Sequence, residues 1–256
     1  MEVFDHLEGA TCWVDLATSD IEVASAFYAD LLGWEITAGN AETGGYRQAM
    51  LHGRPVAGLM PVMDASMPTM WTQYLKTSDE DALAAKAVAL GATVIVPPMD
   101  VIDFGRMAVL LDPTGAGFGL WQPGELAGSG FVRDHGSWTW SELLSSDPAA
   151  SEAFYAELLG WERVNGASPT SDLDYRMFTI GTDPVAGIMA RPEGMPADIP
   201  DVWGVYFTVD SISRALEVID ANGATVAHGP ELVQVGTMVQ LIDPTGAMVG
   251  LLESNR

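Results

Sequence analysis

The sequence contains an internal duplication, and this repeat constrains the fold more than any other feature. The stretch CWVDLATSDIEVASAFYADLLGW at residues 12–34 is matched by TWSELLSSDPAASEAFYAELLGW at residues 139–161. The tetrapeptides PVAG and DPTG also occur once in each half. Because 256 residues are enough for two domains of ordinary size, the repeat predicts two homologous domains. We place them at residues 9–123 and 137–254, with a linker at residues 124–136.

Each half divides again into two smaller modules. A tryptophan begins a short strand-like run in four places, and the residue seven positions later is polar and suited to begin a helix. These pairs are Trp13 with Asp20, Trp71 with Ser78, Trp140 with Asp147 and Trp203 with Asp210. One strand candidate precedes each predicted helix and about three follow it, separated by glycine-rich and DPTG turns. The pattern predicts an α+β fold in which a βαβββ module occurs four times.

Two βαβββ modules per half, the FY…LLGW sequence and the DPTG turn before a final strand together resemble the vicinal-oxygen-chelate superfamily. This group includes glyoxalase I, extradiol dioxygenases and bleomycin-resistance proteins. The tandem order of the motifs is most similar to two-domain actinobacterial members described as glyoxalase-like or hydroxylase-like. The resemblance implies two domains of this type, each with a curled mixed sheet around a cleft. In chelating members, the cleft holds a divalent metal through His or Gln on the first strand of a module and Glu on the last.

The positions that the resemblance assigns to metal ligands do not carry ligand residues here. The His positions correspond to Trp13, Trp71, Trp140 and Trp203, and the Glu positions fall near Gly58, Gly119, Gly187 and Gly250. An indole N–H donates a hydrogen bond but does not ligate a metal, and glycine has no side chain. The four histidines of the chain are not paired at ligand spacing. We therefore predict no metal and no cofactor.

The alternation of side chains along a strand selects the candidate cleft residues. It places Asp15 beside Trp13 and Glu142 beside Trp140, and these two carboxylates are the candidate catalytic groups. The same rule, with the repeated YR strands, gives the candidate ligand-binding residues Trp13, Trp71, Gln73, Tyr46, Trp140, Trp203, Tyr175 and Phe207. Two alternatives stay open: the indoles could plug the clefts, with each one over a facing glycine, and the carboxylates could only hydrogen-bond neighbouring groups.

Composition limits the remaining possibilities. The formal net charge of −24 disfavours nucleic acids and anionic membrane surfaces as partners. No secretory signal or long apolar segment is recognisable, which indicates a cytoplasmic protein. Because the partner modules are supplied within one chain, we expect a monomer or a homodimer. We predict metal-free binding of a small apolar or aromatic molecule. The alternatives are a metal-independent isomerase, cyclase, lyase or hydrolase that uses a cleft carboxylate, and a structural or regulatory protein with plugged clefts.

Overall fold

The computed structural model describes residues 1–164, 174–192 and 200–255, and it contains four successive βαβββ modules. The first comprises β1 (Thr11–Thr18), α1 (Ile21–Leu32), β2 (Glu35–Ile36), β3 (Arg47–Leu51) and β4 (Arg54–Pro61). The second comprises β5 (Met70–Lys76), α2 (Glu80–Ala89), β6 (Thr93–Val101), β7 (Gly105–Leu111) and β8 (Gly117–Pro123). The third comprises β9 (Trp138–Ser145), α3 (Pro148–Leu159), β10 (Glu162–Arg163), β11 (Tyr175–Ile180) and β12 (Asp183–Ala190). The fourth comprises β13 (Val202–Thr208), α4 (Ile212–Ala221), β14 (Thr225–Val233), β15 (Gly236–Ile242) and β16 (Met248–Ser254).

The two modules of each half share one open, eight-stranded mixed sheet. The strand order is β2-β3-β4-β1-β5-β8-β7-β6 in the N-terminal half and β10-β11-β12-β9-β13-β16-β15-β14 in the C-terminal half. The first strands of the two modules lie side by side and antiparallel at the centre of each sheet, and each is parallel to the last strand of its own module. The predicted α+β fold is therefore confirmed.

Local sequence explains where the helices begin and end. The Asp20 carboxylate accepts hydrogen bonds from the first backbone N–H groups of α1, and Gly33 ends the helix in the left-handed conformation with φ of 70°. Asp147 and Gly160 bound α3 in the same way. The helices of the second modules begin one residue later than predicted, because α2 is capped by Asp79 and α4 by Ser211.

The repeated motifs join the two halves to each other. The Tyr28 hydroxyl of the first FY motif donates to the carboxylate of Asp243 at 2.8 Å, and Asp243 belongs to the DPTG turn of the other half. The Tyr155 hydroxyl donates to Asp112 at 3.0 Å in the reciprocal contact. Helix α1 also contacts α4, and α2 contacts α3. The helix-bearing faces of the two sheets therefore meet, and the apolar cores are shared between the first and fourth modules and between the second and third.

Each DPTG aspartate has two structural roles. One oxygen of Asp243 accepts from the backbone N–H groups of Thr245 and Ala247, which closes the turn before β16. Its other oxygen accepts from Tyr28, whose hydroxyl oxygen in turn accepts from the indole N–H of Trp71 at 2.9 Å. The motifs that identify the repeat thus act in folding and in joining the halves.

We expect Tyr28→Phe to lower the free energy of unfolding by about 2 kcal/mol, because it leaves the Asp243 carboxylate and the Trp71 N–H without a buried partner. Urea denaturation followed by far-UV circular dichroism measures the change. Tyr155→Phe removes the equivalent contact of Asp112 and Trp203, and we expect a loss of similar size. A change below about 0.5 kcal/mol in both variants would contradict the assignment of these contacts to inter-half stability.

The helices that the structure describes are short, and none is long and apolar enough to cross a membrane.

Candidate functional site

The observed pairing of the first strands shows that the predicted alignment of the two modules in each half was shifted by one residue. In the N-terminal sheet, Trp13 lies opposite Tyr74, and Trp71 lies opposite Leu16. Since alternate residues of a strand point to opposite faces, a shift of one residue moves a side chain to the other side of the sheet. Trp71 therefore faces the helices, where its indole donates to Tyr28. Trp203 does the same in the other half and donates to Tyr155 at 2.9 Å.

Gln73 and Phe207 share this helix-facing side with Trp71 and Trp203. Gln73 is fully buried and accepts a hydrogen bond from the Thr11 hydroxyl at 2.8 Å. Phe207 packs edge-on against Trp71, with ring centroids 5.1 Å apart. The predicted position of these four residues in a cleft is wrong, because the alignment placed Trp71 and Trp203 in phase with Trp13 and Trp140.

Two tyrosines, Tyr74 and Tyr206, occupy the cleft positions that are equivalent to Asp15 and Glu142. Tyr74 lies beside Gly119 of β8, and Tyr206 lies beside Gly250 of β16. In the other two modules, Asp15 lies beside Gly58 and Glu142 lies beside Gly187 at the same strand position. A sequence signal for them exists, since each of these four cleft residues stands five positions before the residue that caps its helix. Alignment on the helix caps rather than on the tryptophans would have found them.

The four strand glycines make room for tyrosines rather than for tryptophans. A Cβ atom at Gly119 would lie 2.2 Å from the nearest ring carbon of Tyr74, and one at Gly250 would lie 2.1 Å from that of Tyr206, far below van der Waals contact. At Gly58 and Gly187 it would collide with the hydroxyl ends of Tyr46 and Tyr175. The alternative in which each indole covers a facing glycine is therefore wrong. These glycines lie at the positions that the resemblance assigns to Glu. Here they allow a tyrosine to lie flat on the strand.

The N-terminal cleft is closed by its own side chains. Trp13, Tyr74 and Trp121 form a buried aromatic cluster in which no ring is more than 5% exposed. Phe104 from the β6–β7 hairpin and Leu126 pack on this cluster. Leu126 belongs to the segment predicted as a linker, and its carbonyl accepts a hydrogen bond from the Trp121 indole at 2.9 Å. Part of the connecting segment therefore seals this cleft.

Asp15 lies at the bottom of the closed cleft with its hydrogen bonds satisfied. Its carboxylate accepts from the Trp13 indole at 2.7 Å and from the Tyr46 hydroxyl at 2.6 Å. Burial raises the pKa of Asp15, while hydrogen bonds from Tyr46, Trp13 and Tyr74 act in the opposite direction. Asp15 is only 8% exposed, so a substrate could not reach this carboxylate without displacing the aromatic cluster.

The C-terminal cleft is open and forms a cavity of about 620 Å³. Trp140, Glu142 and Tyr175 of the predicted site line it together, and Tyr206 joins them from β13. Much of the remaining wall is apolar, with Met177, Pro184, Val233, Val235, Met238 and Leu252; the other lining residues are Arg133, Thr139, Thr208, Gln234, Ser254 and Asn255.

A hydrogen-bonded polar cluster lies in this cavity around Glu142. The Tyr206 hydroxyl donates to the Glu142 carboxylate at 3.2 Å, and Tyr175 also hydrogen-bonds to it. The Trp140 indole donates to the Tyr175 oxygen at 2.9 Å, and the Gln240 amide donates to the Tyr206 oxygen. Burial raises the pKa of Glu142, and the two tyrosine hydrogen bonds oppose that rise. Each tyrosine thus accepts from a neighbour and directs its only proton to the carboxylate.

Substitutions at equivalent strand positions explain why one cleft is closed and the other open. The strand register is the same in the two halves, and it makes Trp121 equivalent to Leu252 and Val109 equivalent to Gln240. In addition, three residues including Phe104 connect β6 to β7, whereas two connect β14 to β15. At the position where Trp121 closes the N-terminal cleft, the C-terminal half therefore has the smaller residue Leu252. At the position of Val109 it has Gln240, whose amide donates to the Tyr206 oxygen.

The side chains in the clefts do not fit a divalent metal site. Each polar cluster has a single carboxylate, Asp15 or Glu142, surrounded by tyrosine and tryptophan donors. Tyrosine rings fill the space at the glycines where a ligating Glu side chain would start. In the described part of the chain, no group of three His, Cys, Asp or Glu residues is arranged to hold a metal. A catalytic metal requires about three protein ligands, which these clusters do not supply.

Paired βαβββ modules that form an open curled sheet around each of two clefts define a tandem glyoxalase-type architecture. Comparison with known families agrees with this class. Residues 139–251 match the Glyoxalase/Bleomycin resistance protein/Dioxygenase superfamily, and residues 12–121 match the Glyoxalase-like domain. The chain belongs to this superfamily.

Two relatives match this chain over nearly the whole length of both proteins. The "Putative glyoxylase CFP32" of Mycobacterium tuberculosis is 34% identical over 97% of this chain and 96% of its own length. The anthracycline biosynthesis protein DnrV of Streptomyces peucetius is 32% identical over 96% of this chain and 93% of its own.

Solved structures share the fold at low sequence identity. The Mn(II)-bound glyoxalase of Novosphingobium aromaticivorans superposes with a TM-score of 0.67 at 18% identity, covering 97% of this chain and 84% of that one. The 2,3-dioxygenase LapB of Pseudomonas sp. KL28 has a TM-score of 0.66 at 16% identity, with coverage of 96% and 93%.

Proposed function

We propose that the protein binds one small apolar or aromatic organic molecule in its C-terminal cleft and does so without a metal. The observation that carries this proposal is the difference between the halves: a cavity of about 620 Å³ is open in one, while Trp121 and its neighbours close the other. Pockets for drug-sized ligands typically measure about 300–1,000 Å³. Their usual design is an apolar wall with a few convergent polar groups, which here are Glu142, Tyr175 and Tyr206.

The relatives support an aromatic ligand. DnrV of Streptomyces peucetius and DauV of Streptomyces sp. C5 are named for the biosynthesis of anthracyclines, which are fused-ring aromatic compounds. A flat aromatic molecule would find the rings of Trp140, Tyr175 and Tyr206 on the wall of the cavity. The absence of a suitable donor set around Glu142 supports binding without a metal.

Tryptophan fluorescence tests the proposal, because Trp140 is the one tryptophan of the described residues that lines the cavity. We expect the neutral aromatic probe N-phenyl-1-naphthylamine to quench tryptophan emission and to bind with a stoichiometry of one per chain. The chain has eight tryptophans, and Trp140→Phe should reduce the quenching by more than an eighth while probe fluorescence still reports binding. Trp13→Phe, in the closed cleft, is the matched control and should reduce the quenching less. A stoichiometry of two, or no binding, would contradict a single open cleft.

A second candidate function is metal-independent acid–base catalysis by Glu142. The supporting observation is that this carboxyl group lines the cavity and has a pKa raised by burial, which suits proton transfer to a bound molecule. Isomerisation, cyclisation and hydrolysis of a natural product or reactive carbonyl are the reaction classes that need only such a group. If the protein is an enzyme, Glu142→Gln should abolish turnover while probe binding persists. Asp15→Asn, in the closed cleft, should retain turnover.

A further inference from the structure

The carboxylate of Glu142 lies in the open cavity without a cationic partner. No ion pair among the described residues includes it, and burial and the hydroxyls of Tyr175 and Tyr206 are what shift its pKa. Arg133 is the one basic residue of the described cavity wall, and its guanidinium donates to the carbonyl of Pro184 at 3.5 Å. A carboxylate in an apolar site is costly unless a positive charge or several donors compensate it.

The hydrogen bonds around Glu142 make the cluster an acceptor for ligand donors. The Trp140 indole and the Gln240 amide each donate to a tyrosine oxygen, and both tyrosine hydroxyls hydrogen-bond to Glu142, so the proton of each tyrosine points to this carboxylate. The lone pairs that remain on the carboxylate and on the two tyrosine oxygens can only accept. Polar groups of a ligand that reach this cluster must therefore donate hydrogen bonds.

Aromatic rings and overall charge favour a positively charged donor. Trp140, Tyr175 and Tyr206 line the same cavity, and the faces of such rings attract cations. The formal net charge of −24 also produces a long-range field that attracts cations to the protein. Glu142, the aromatic faces and this field all favour the same sign of ligand charge.

We propose that the C-terminal cleft selects aromatic ligands that carry an ammonium group, which binds Glu142 beside the rings of Trp140, Tyr175 and Tyr206. The proposal rests on the proposed function and narrows its ligand class. A primary or secondary amine supplies both the positive charge and the N–H donors that the Glu142 cluster accepts. The neutral aromatic part occupies the apolar wall formed by residues such as Met238 and Leu252.

Competition between two ligands of nearly equal shape tests this selectivity. Displacement of N-phenyl-1-naphthylamine is measured with 1-naphthylmethylamine, which is cationic at neutral pH, and with neutral 1-naphthalenemethanol. We expect the amine to bind at least roughly tenfold more tightly than the alcohol at pH 7. Glu142→Gln should remove this preference and retain binding of the alcohol. Asp15→Asn makes the same chemical change in the closed copy of the cluster and should leave the preference unchanged.

The pH dependence supplies an independent readout. The amine preference should disappear as the pH falls through the pKa of Glu142, because the protonated carboxyl group no longer carries a charge. Burial raises this pKa above its ordinary value, so the loss should begin at a higher pH than for a solvent-exposed glutamate. Binding of the alcohol should change much less over the same range, because it does not depend on a charge.

The outcomes separate this inference from the proposed function. Equal affinity for amine and alcohol, or a preference that survives Glu142→Gln, would overturn the ammonium proposal while leaving a small-molecule site intact. Failure of N-phenyl-1-naphthylamine and both naphthyl compounds to bind would overturn the proposed function itself, and the ammonium proposal with it.

Discussion

The double substitution Leu252→Trp/Val235→Phe is expected to close the C-terminal cavity and to weaken binding of N-phenyl-1-naphthylamine by roughly 100-fold, or ~2.8 kcal/mol. Leu252 occupies the strand position of Trp121, and Val235 lies in the hairpin equivalent to the one that carries Phe104. The larger rings would fill space that a ligand needs, as their counterparts do in the closed half. Fluorescence titration of the probe measures the loss.

The control substitution keeps the volume of the side chain at position 252 and changes only its shape. Leu252→Ile should retain probe affinity within about threefold, because volume-conserving apolar substitutions are well tolerated. The double variant should fold with little loss of stability, since the new side chains enter open space rather than a filled core. Wild-type affinity in a folded double variant would show that the probe binds elsewhere.

Gly119→Ala is expected to destabilise the protein by ~3 kcal/mol, and Gly250→Ala by ~1 kcal/mol. Both substitutions place a methyl group within 2.2 Å of a ring carbon of the facing tyrosine, so the ring must move. Tyr74, which faces Gly119, is packed within the closed aromatic cluster, so it has no space to move into. Tyr206, which faces Gly250, borders the open cavity and can shift toward it.

Urea denaturation of the two glycine variants measures the difference in unfolding free energy. Gly250→Ala should also weaken probe binding, because the displaced Tyr206 ring would occupy part of the cavity and lose its contact with Glu142. Gly119→Ala should leave probe affinity unchanged in the fraction of protein that remains folded. Equal costs for the two substitutions would contradict the view that one cleft is packed and the other open.

Much of the fold could be predicted because its signals are local. Asp20 and Gly33 bound the first helix through contacts within a few residues, and the same residue types recur at Asp147 and Gly160. The repeated motifs then identify a tandem βαβββ architecture. Their contacts could not be predicted, however, because the hydrogen bond between Tyr28 and Asp243 joins residues that are far apart in sequence.

The candidate site was predicted only in part, and the errors have one cause. Trp13, Asp15, Trp140 and Glu142 lie on cleft-facing strand positions, as the alternation of side chains indicates. Trp71 and Trp203 do not, because the alignment on tryptophan was one residue out of phase with the helix caps. Side chains alternate with a period of two, so this single-residue error assigned Trp71 and Trp203 to the clefts and left out Tyr74 and Tyr206.

The sequence by itself determined the duplicated modules, the superfamily and the lack of metal-ligand residues at the expected strand positions. Only the tertiary structure decided which cleft is open. Both halves have a carboxylate between two tyrosines, and their difference depends on how Trp121, Phe104 and Leu126 meet over one cluster. Whether side chains from separate segments fill a common space depends on their three-dimensional packing, and local sequence patterns do not contain that information.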